Sequence, residues 1–191
     1  MKIRYNAPAV LSFAFISAGI LILSQTILPS LTAQWFVVPG RANFSIGSFR
    51  NWVCLFTHVL GHKNWTHLIS NFTIILLIGP ILEEVYGSFS LVIMMVITAF
   101  VTGALNVLFF TSSLLGASGV VFMMILLASF TNFNKGEIPL TFILVLVLYL
   151  GSELFAAFAS VGDLENNISH FAHIVGGFIG SLFGFLRAKS R

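Results

Sequence analysis

A serine in a glycine-rich turn and a histidine near the far end of the chain are the residues whose chemistry stands out. Ser118 lies in the turn Gly116-Ala117-Ser118-Gly119, where a long apolar run begins. A serine hydroxyl is a weak nucleophile until a neighbouring base takes its proton, and His173 is the candidate base. No Asp or Glu is placed in the sequence to orient His173, so the pair predicts a Ser-His dyad instead of a triad.

His67 and Asn71 indicate how a reaction intermediate would be stabilised. Residues four apart share one face of a helix, about one turn from each other. A tetrahedral intermediate needs fixed hydrogen-bond donors. The His67 ring, the Asn71 amide and the Ser118 backbone N–H at a helix start fit that need. With Gly116, they form the predicted oxyanion and substrate-binding group.

The composition places these residues in a membrane protein. The 191 residues are 58% hydrophobic and 8% charged, whereas a soluble domain carries about 25% charged residues, and the mean hydropathy is +1.01. A helical crossing needs about 20 apolar residues. We therefore predict an all-α fold, a polytopic six-transmembrane-helix bundle that forms a single domain over residues 1–191. The predicted crossings are 7–28, 67–86, 88–110, 116–132, 138–158 and 168–187, with the first run a retained helix and not a cleaved signal peptide.

The basic residues predict the orientation. An even number of crossings returns both termini to one side, and an excess of Lys and Arg marks the cytoplasmic side. Three basic residues oppose this assignment, because Arg41, Arg50 and Lys63 fall in the segment 29–66, predicted to be outside. We expect a multi-pass protein of the cell (inner or plasma) membrane with both termini in the cytoplasm. The basic residues predicted to be inside are Lys2, Arg4, Lys135, Arg187, Lys189 and Arg191.

Two further patterns bear on how the helices meet. The segment 29–66, called the first loop below, is rich in Trp and Phe, which suit the headgroup level of a bilayer. It is predicted to be a long, partly buried interfacial loop. In the last crossing, glycines recur every four residues, a pattern that allows close helix packing. If that face packs on the Ser118 helix, where Gly119 permits close approach, the His173 imidazole comes within reach of the hydroxyl. The glycines are Gly176, Gly180 and Gly184, with Gly177 one turn after His173.

Together, the three motifs resemble the rhomboid family of intramembrane serine proteases, in a bacterial, minimal six-helix form. The family's His-x-x-x-Asn is present as "HLISN", its Gly-x-Ser-Gly as "GASG" and its Ala-His-x-x-Gly-x-x-x-Gly as "AHIVGGFIG". Smaller matches are "FTHVLGH" before the second crossing and "EEVYGS" at its end. The motifs lie in the expected order on the second, fourth and sixth predicted helices.

The resemblance implies a serine endopeptidase with Ser118 as nucleophile and His173 as general base. The implied substrates are single-pass transmembrane proteins that enter sideways from lipid and have small residues at the cleaved bond. Water would reach the dyad beneath the loop around 161–167. The resemblance also implies that His62 is a supporting residue, which holds the first loop against the start of the second crossing.

The chain departs from the family pattern at two places. Many bacterial rhomboids carry a Trp-Arg pair in the first loop, where this chain has Val53-Cys54. Many also have a Tyr four residues after the nucleophile, where this chain has Phe122. The second change keeps the ring and loses the hydroxyl, so we expect Phe122 to be a supporting residue.

Other functions remain open on sequence grounds. A catalytically inactive rhomboid-like binder of transmembrane helices would share the fold, since fold alone does not give function. A metal or haem protein is a third hypothesis, with His58, His62, His67, His170 and His173 as ligands, but HExxH is absent. An aspartyl intramembrane protease is the least favoured hypothesis, because Asp163 is the only aspartate and no pair exists. We predict no cofactor, no metal and no nucleic-acid partner; the expected partners are membrane lipids and substrates, and nothing indicates an oligomeric state.

Overall fold

The described part of the chain is helical. The computed structural model describes residues 4–130, 138, 140–151, 155 and 164–189, with side chains described except at 150, 164–169 and 187–189. Within these ranges there is no β-strand, only an isolated antiparallel bridge between Val38 and Leu114. The helices are α1 (Pro8–Thr26), α2 (Leu31–Trp35), α3 (Phe49–Thr57), α4 (Trp65–Tyr86), α5 (Ser88–Phe109), α6 (Ser118–Ala128), α7 (Leu140–Val145) and α8 (Leu164–Lys189). Short 3-10 turns cover Arg41–Asn43 and His58–Leu60, and a π-type stretch, Leu146–Leu150, extends α7.

Within the described part of the chain, three helices are long and apolar enough to cross a membrane. They are α1, α4 and α5, which match the first three predicted crossings to within about two residues. The apolar stretches Ser118–Ala128, Leu140–Tyr149 and His170–Leu186 are shorter. The all-α prediction is confirmed for the described residues, while the count of six crossings stays a prediction. Residues 139, 152–154 and 156–158 of the fifth predicted crossing, which include Glu153, lie outside the described residues.

A buried carboxylate joins α1 to α4. Glu83 near the end of α4 accepts hydrogen bonds from the backbone N–H groups of Ala9 and Val10, at 2.9 and 3.0 Å, and from the Ser88 hydroxyl at 2.6 Å. A negative group at a helix N-terminus satisfies unpaired N–H groups and complements the dipole. The start of α1 therefore lies beside the end of α4, and the two helices run antiparallel.

The first loop is more structured than predicted. It holds α2, α3 and two 3-10 turns between α1 and α4. In α3 one face is buried, with Asn51, Cys54 and Leu55 at spacings of three and four, while Phe49 and Trp52 are exposed. This spacing is that of an amphipathic helix, so the segment packs on the bundle through one face. Its place at the membrane interface stays a prediction.

Candidate active site

The helix that begins at Ser118 packs against α8 with the two backbones in contact. A Cβ added to Gly176 would lie 2.0 Å from the Gly119 carbonyl oxygen, and one added to Gly180 would lie 2.2 Å from that of Met123. At Gly184 the added Cβ would meet the Phe130 ring at 2.3 Å. These pairs advance in the same direction along both helices, so α6 and α8 run parallel. The glycine repeat therefore serves close helix packing, as its spacing indicates.

His173 lies against the face of α6 that carries Ser118. Its ring stacks on Phe122, with centroids 4.2 Å apart and planes 7° from parallel. Phe122 is one helical turn after Ser118, so both side chains project from the same face of α6. Ser118 and His173 are each half-buried. The stack thus brings the imidazole to the serine's side of the α6–α8 interface.

The site is recessed along α8. The helix rise places His173 about 14 Å along α8 from Leu164, its first residue. Ser118 begins an eleven-residue helix, which rises only about 16 Å, roughly half of a bilayer's hydrocarbon thickness. A short helix beside a long one therefore sets the serine below the N-terminal end of its neighbour.

The first two turns of α4 supply His67 and Asn71. Asn64 caps this helix, because its Oδ1 accepts the backbone N–H of His67 at 2.8 Å. The Asn71 amide donates to the His67 carbonyl at 3.1 Å and is buried. The cap and this amide bond fix the helix start on which both side chains stand.

The turn before Ser118 is held between α4 and the first loop. Gly116 has φ +113, and a Cβ added there would lie 2.6 Å from Cε1 and 2.7 Å from Nε2 of His67. The Gly116 N–H donates to the His58 carbonyl at 3.0 Å. Both the positive φ and the close imidazole require glycine. His67 therefore packs directly on the turn that presents Ser118.

Two histidines of the first loop are buried behind His67. The Nδ1 of His58 lies 3.2 Å from the Cys54 carbonyl, and its Nε2 lies 3.4 Å from the Thr102 hydroxyl. The His62 ring packs edge-on against His67, with centroids 5.0 Å apart. Burial lowers the pKa of His58 to about 4. Burial, with a smaller effect of the neighbouring His67, does the same for His62. Both side chains are therefore neutral at pH 7.

Two ring nitrogens at this site have no hydrogen-bond partner in the part of the chain that the structure describes. His62 Nε2 and His67 Nδ1 are both buried and accept or donate no hydrogen bond among the described protein atoms. Buried polar atoms are normally paired, and a catalytic role or a bound water or ion is among the explanations for an exception. The region between the first loop and α4 is thus more polar than a packing core requires.

One family model matches most of the chain. The model of the family described as "Rhomboid domain" matches residues 50–190. The chain belongs to the rhomboid family. The matched residues of this rhomboid begin in α3 and include α4, α5, α6, α7 and the whole of α8. Rhomboid membership and the three long apolar helices make it a multi-pass membrane protein.

Two relatives are similar to this rhomboid along most of its length. "Rhomboid-like protein 11, chloroplastic" of Arabidopsis thaliana is 23% identical over 171 residues, which are 83% of this chain and 61% of the relative. "Rhomboid protease GlpG" of Haemophilus influenzae is 23% identical over 138 residues, 71% of this chain and 69% of the relative. This rhomboid therefore spans about three fifths of the length of the plant relative.

The predicted site residues fall into two groups in the structure. In one group, His67 contacts Gly116 in the turn before Ser118, His62 packs against His67, and His173 stacks on Phe122 one turn after Ser118. Gly119 contacts Gly176 of α8, whereas Gly177 is buried beside that contact. The His170 ring lies 6.5 Å from that of His173. The predicted water route beneath 161–167 lies outside the described side chains.

Sequence reasoning missed a polar stripe on α5. Thr98, Thr102 and Asn106 recur every four residues and are all buried. Thr102 reaches His58 on one side, and its Cγ2 would lie 3.2 Å from a Cβ added to Gly119 on the other. The stripe therefore joins the first loop to the start of α6. The spacing of four was the available signal. Within the described residues, no group of three or more His, Cys, Asp or Glu could hold a metal ion.

Proposed function

We propose that this rhomboid is an intramembrane serine endopeptidase that cleaves transmembrane segments of single-pass membrane proteins. The observation that carries the proposal is the backbone-to-backbone packing of α6 on α8, with His173 stacked on Phe122 one turn from Ser118. This packing supports a Ser118–His173 dyad in which the imidazole takes the hydroxyl proton. The whole chain is proposed to form one rhomboid-type domain.

The proposed reaction is acyl transfer to serine followed by hydrolysis. Ser118 Oγ attacks the scissile carbonyl while His173 accepts its proton, and the same proton then passes to the leaving amine. Water, deprotonated by His173, releases the acyl product and restores the serine. The developing oxyanion is stabilised by the Ser118 N–H at the start of α6 and by His67 and Asn71. Because Gly116 has no side chain, the His67 ring can approach the turn and these donors can converge on one oxygen.

The substrate must reach a recessed site from the membrane. A single-pass helix that unwinds locally would present an extended backbone to Ser118, whereas an intact helix keeps its carbonyls in internal hydrogen bonds. Small residues at the cleaved bond would ease that unwinding and approach. We place the protein in the cell membrane with both termini in the cytoplasm, as the basic residues at the two ends favour.

The test is proteolysis in liposomes with a single-pass test substrate. Ser118→Ala and His173→Ala are expected to lower the cleavage rate at least about a thousandfold, because each removes a member of the catalytic unit. Ser129→Ala is the matched control, since Ser129 lies just beyond α6 and its hydroxyl donates to the Ile125 carbonyl. Undiminished cleavage by either dyad variant contradicts the mechanism.

A second candidate function is a non-proteolytic binder of transmembrane helices. It is favoured by the plant relative, whose name describes it as rhomboid-like and not as a protease. A serine-directed fluorophosphonate separates the two functions. Covalent labelling of wild-type and Ser129→Ala protein, with none of Ser118→Ala, supports the protease. A folded wild-type protein that captures the substrate helix but is neither labelled nor proteolytic supports the binder.

A further inference from the structure

The basic residues of the first loop have no acidic neighbour in their own segment. Residues 29–66 contain Arg41, Arg50 and Lys63 and no Asp or Glu. The carboxylates of Glu83 and Glu84 lie at the other end of α4, about 27 Å along its axis from Trp65. In the proposed topology these three cations are outside, against the usual preference of Lys and Arg. Asp163 and Glu165, near the start of α8, belong to the same proposed side, and a bound anion from outside the chain is a further way to balance the three cations.

One of these cations lines an apolar groove. The groove has a volume of about 430 Å³ and lies between the first loop and α5. Arg41 is the charged residue of its lining, and its side chain is exposed. Most of the wall is aromatic or aliphatic. It includes Phe44, Trp52, Ala104, Val107 and Leu108.

The charged and apolar ends of the groove lie at different depths. The Arg41 N–H donates to the Phe110 carbonyl at 2.7 Å, which fixes Arg41 at the C-terminal end of α5. In the proposed topology that end is at the outer headgroup level. Ala104 lies about 9 Å deeper along α5. Trp52 on the groove wall is partly exposed, as is typical of the interface between headgroups and hydrocarbon.

We propose that this groove binds an anionic phospholipid of the outer leaflet. The lipid phosphate pairs with the Arg41 guanidinium, whose planar fork matches two phosphate oxygens. One acyl chain lies along Val107 and Leu108, where its CH2 groups contact apolar surface. The outer leaflet rests on the proposed topology, but the site does not depend on proteolysis.

The bound lipid has a structural consequence for the active site. The lipid fills the groove between the first loop and α5. It contacts the loop at Arg41 and at Trp52 of α3, and so holds the loop against α5. Helix α3 leads directly into His58, whose carbonyl accepts the Gly116 N–H. An occupied groove therefore stabilises the segment that supports the turn before Ser118.

The matched control is the second arginine of the same segment. Arg50 lines a separate, polar cavity of about 490 Å³ that also includes Gln34, Asn51 and Cys54. Arg50→Gln removes the same charge from the same loop as Arg41→Gln but leaves the groove intact. Arg41→Lys keeps the charge without the fork, and Ala104→Phe fills the deep end of the groove.

The experiment is native mass spectrometry of the full chain with phosphatidylglycerol or chain-matched phosphatidylcholine. Wild type and Arg50→Gln are expected to retain phosphatidylglycerol in preference to phosphatidylcholine. Arg41→Gln should bind phosphatidylglycerol about fivefold more weakly, with Arg41→Lys between the two. Ala104→Phe should weaken both lipids. Phosphatidylglycerol should raise the Tm of wild type and Arg50→Gln more than that of Arg41→Gln.

Three outcomes would overturn the proposal. Equal retention of phosphatidylglycerol by wild type and Arg41→Gln would mean that Arg41 pairs with another group. Equal losses in Arg41→Gln and Arg50→Gln would indicate general attraction to a basic loop. Competition by glycerol 3-phosphate as effective as that by the lipid would assign the site to a soluble phosphate. None of these readouts uses cleavage, so the lipid site and the protease can fail separately.

Discussion

Phe122 connects the two members of the proposed dyad. Its ring is buried and lies 4.2 Å from that of His173, nearly parallel to it. A flat contact of this kind restricts the tilt of the imidazole about its own bonds. The hydroxyl that many bacterial rhomboids carry at this position is therefore not needed for the stack itself. What the ring supplies is orientation of the base.

Substitutions at Phe122 test this positioning role. Phe122→Tyr keeps the stack and should leave kcat within about threefold of wild type. Phe122→Leu fills much of the same space without a flat face, and we expect kcat to fall about 10- to 100-fold, because a misplaced base loses the near-attack geometry. KM should change little. Cleavage kinetics and the rate of fluorophosphonate labelling of Ser118 measure both effects, and a Leu variant with wild-type kcat contradicts the role.

Among the helices, the contact between α6 and α8 determines where the dyad sits. Gly176 and Gly180 of α8 meet backbone atoms of α6, so no side-chain rotation at these two contacts can make room for a methyl group. Shape complementarity of this kind tolerates added volume poorly. Any substitution that separates the helices also separates Ser118 from His173.

Gly176→Ala tests this contact. The added Cβ would lie 2.0 Å from the Gly119 carbonyl oxygen, and we expect a loss of about 1–3 kcal/mol in the free energy of unfolding, together with lost cleavage. Gly19→Ala in α1 is the matched control, because nothing lies within 4 Å of its added Cβ. It should be neutral or slightly stabilising. Thermal unfolding in detergent and cleavage in liposomes measure both variants; a Gly176→Ala protein as stable and active as Gly19→Ala contradicts the contact.

The helices also show what the sequence could and could not predict. Glycines at spacings of four predicted the close packing of the last helix, because that pattern has one main physical use in membranes. The start of α6 was predicted from the Gly-Ala-Ser-Gly turn, but its end at Ala128 was not, since the apolar run continues past that residue. The Thr98, Thr102 and Asn106 stripe was missed because a Thr hydroxyl can bond its own helix, as Thr98 and Thr102 do. Nothing in the residue types then distinguishes a structural Thr from one that contacts another segment.

Across the whole molecule, a polar layer of histidines joins the first loop to the bundle. His58 and His62 hold this layer together in their neutral forms, through ring contacts and through hydrogen bonds to the Cys54 and Leu60 carbonyls. Neighbouring titratable groups are His67 and Cys54, and burial raises the pKa of the Cys54 thiol, so it stays neutral in acid. The stability of the packed first loop should therefore depend on pH.

The pH dependence follows from the lowered pKa values of His58 and His62. Both are about 4 in the folded protein, whereas the ordinary pKa of a histidine in an unfolded chain is 6.5. The unfolded chain binds more protons between these values, so the stabilising contribution is fully present above pH 6.5 and is lost as the pH falls toward 4. Each histidine contributes up to about 3 kcal/mol of this loss.

The Tm of wild type should fall steeply from pH 7 to pH 4.5. His58→Asn and His62→Asn keep a donor for the carbonyl and remove the titration, so a double variant should show a shallower slope. Carboxylates common to both proteins cancel in the comparison; equal slopes would mean that charging these two histidines does not destabilise the fold.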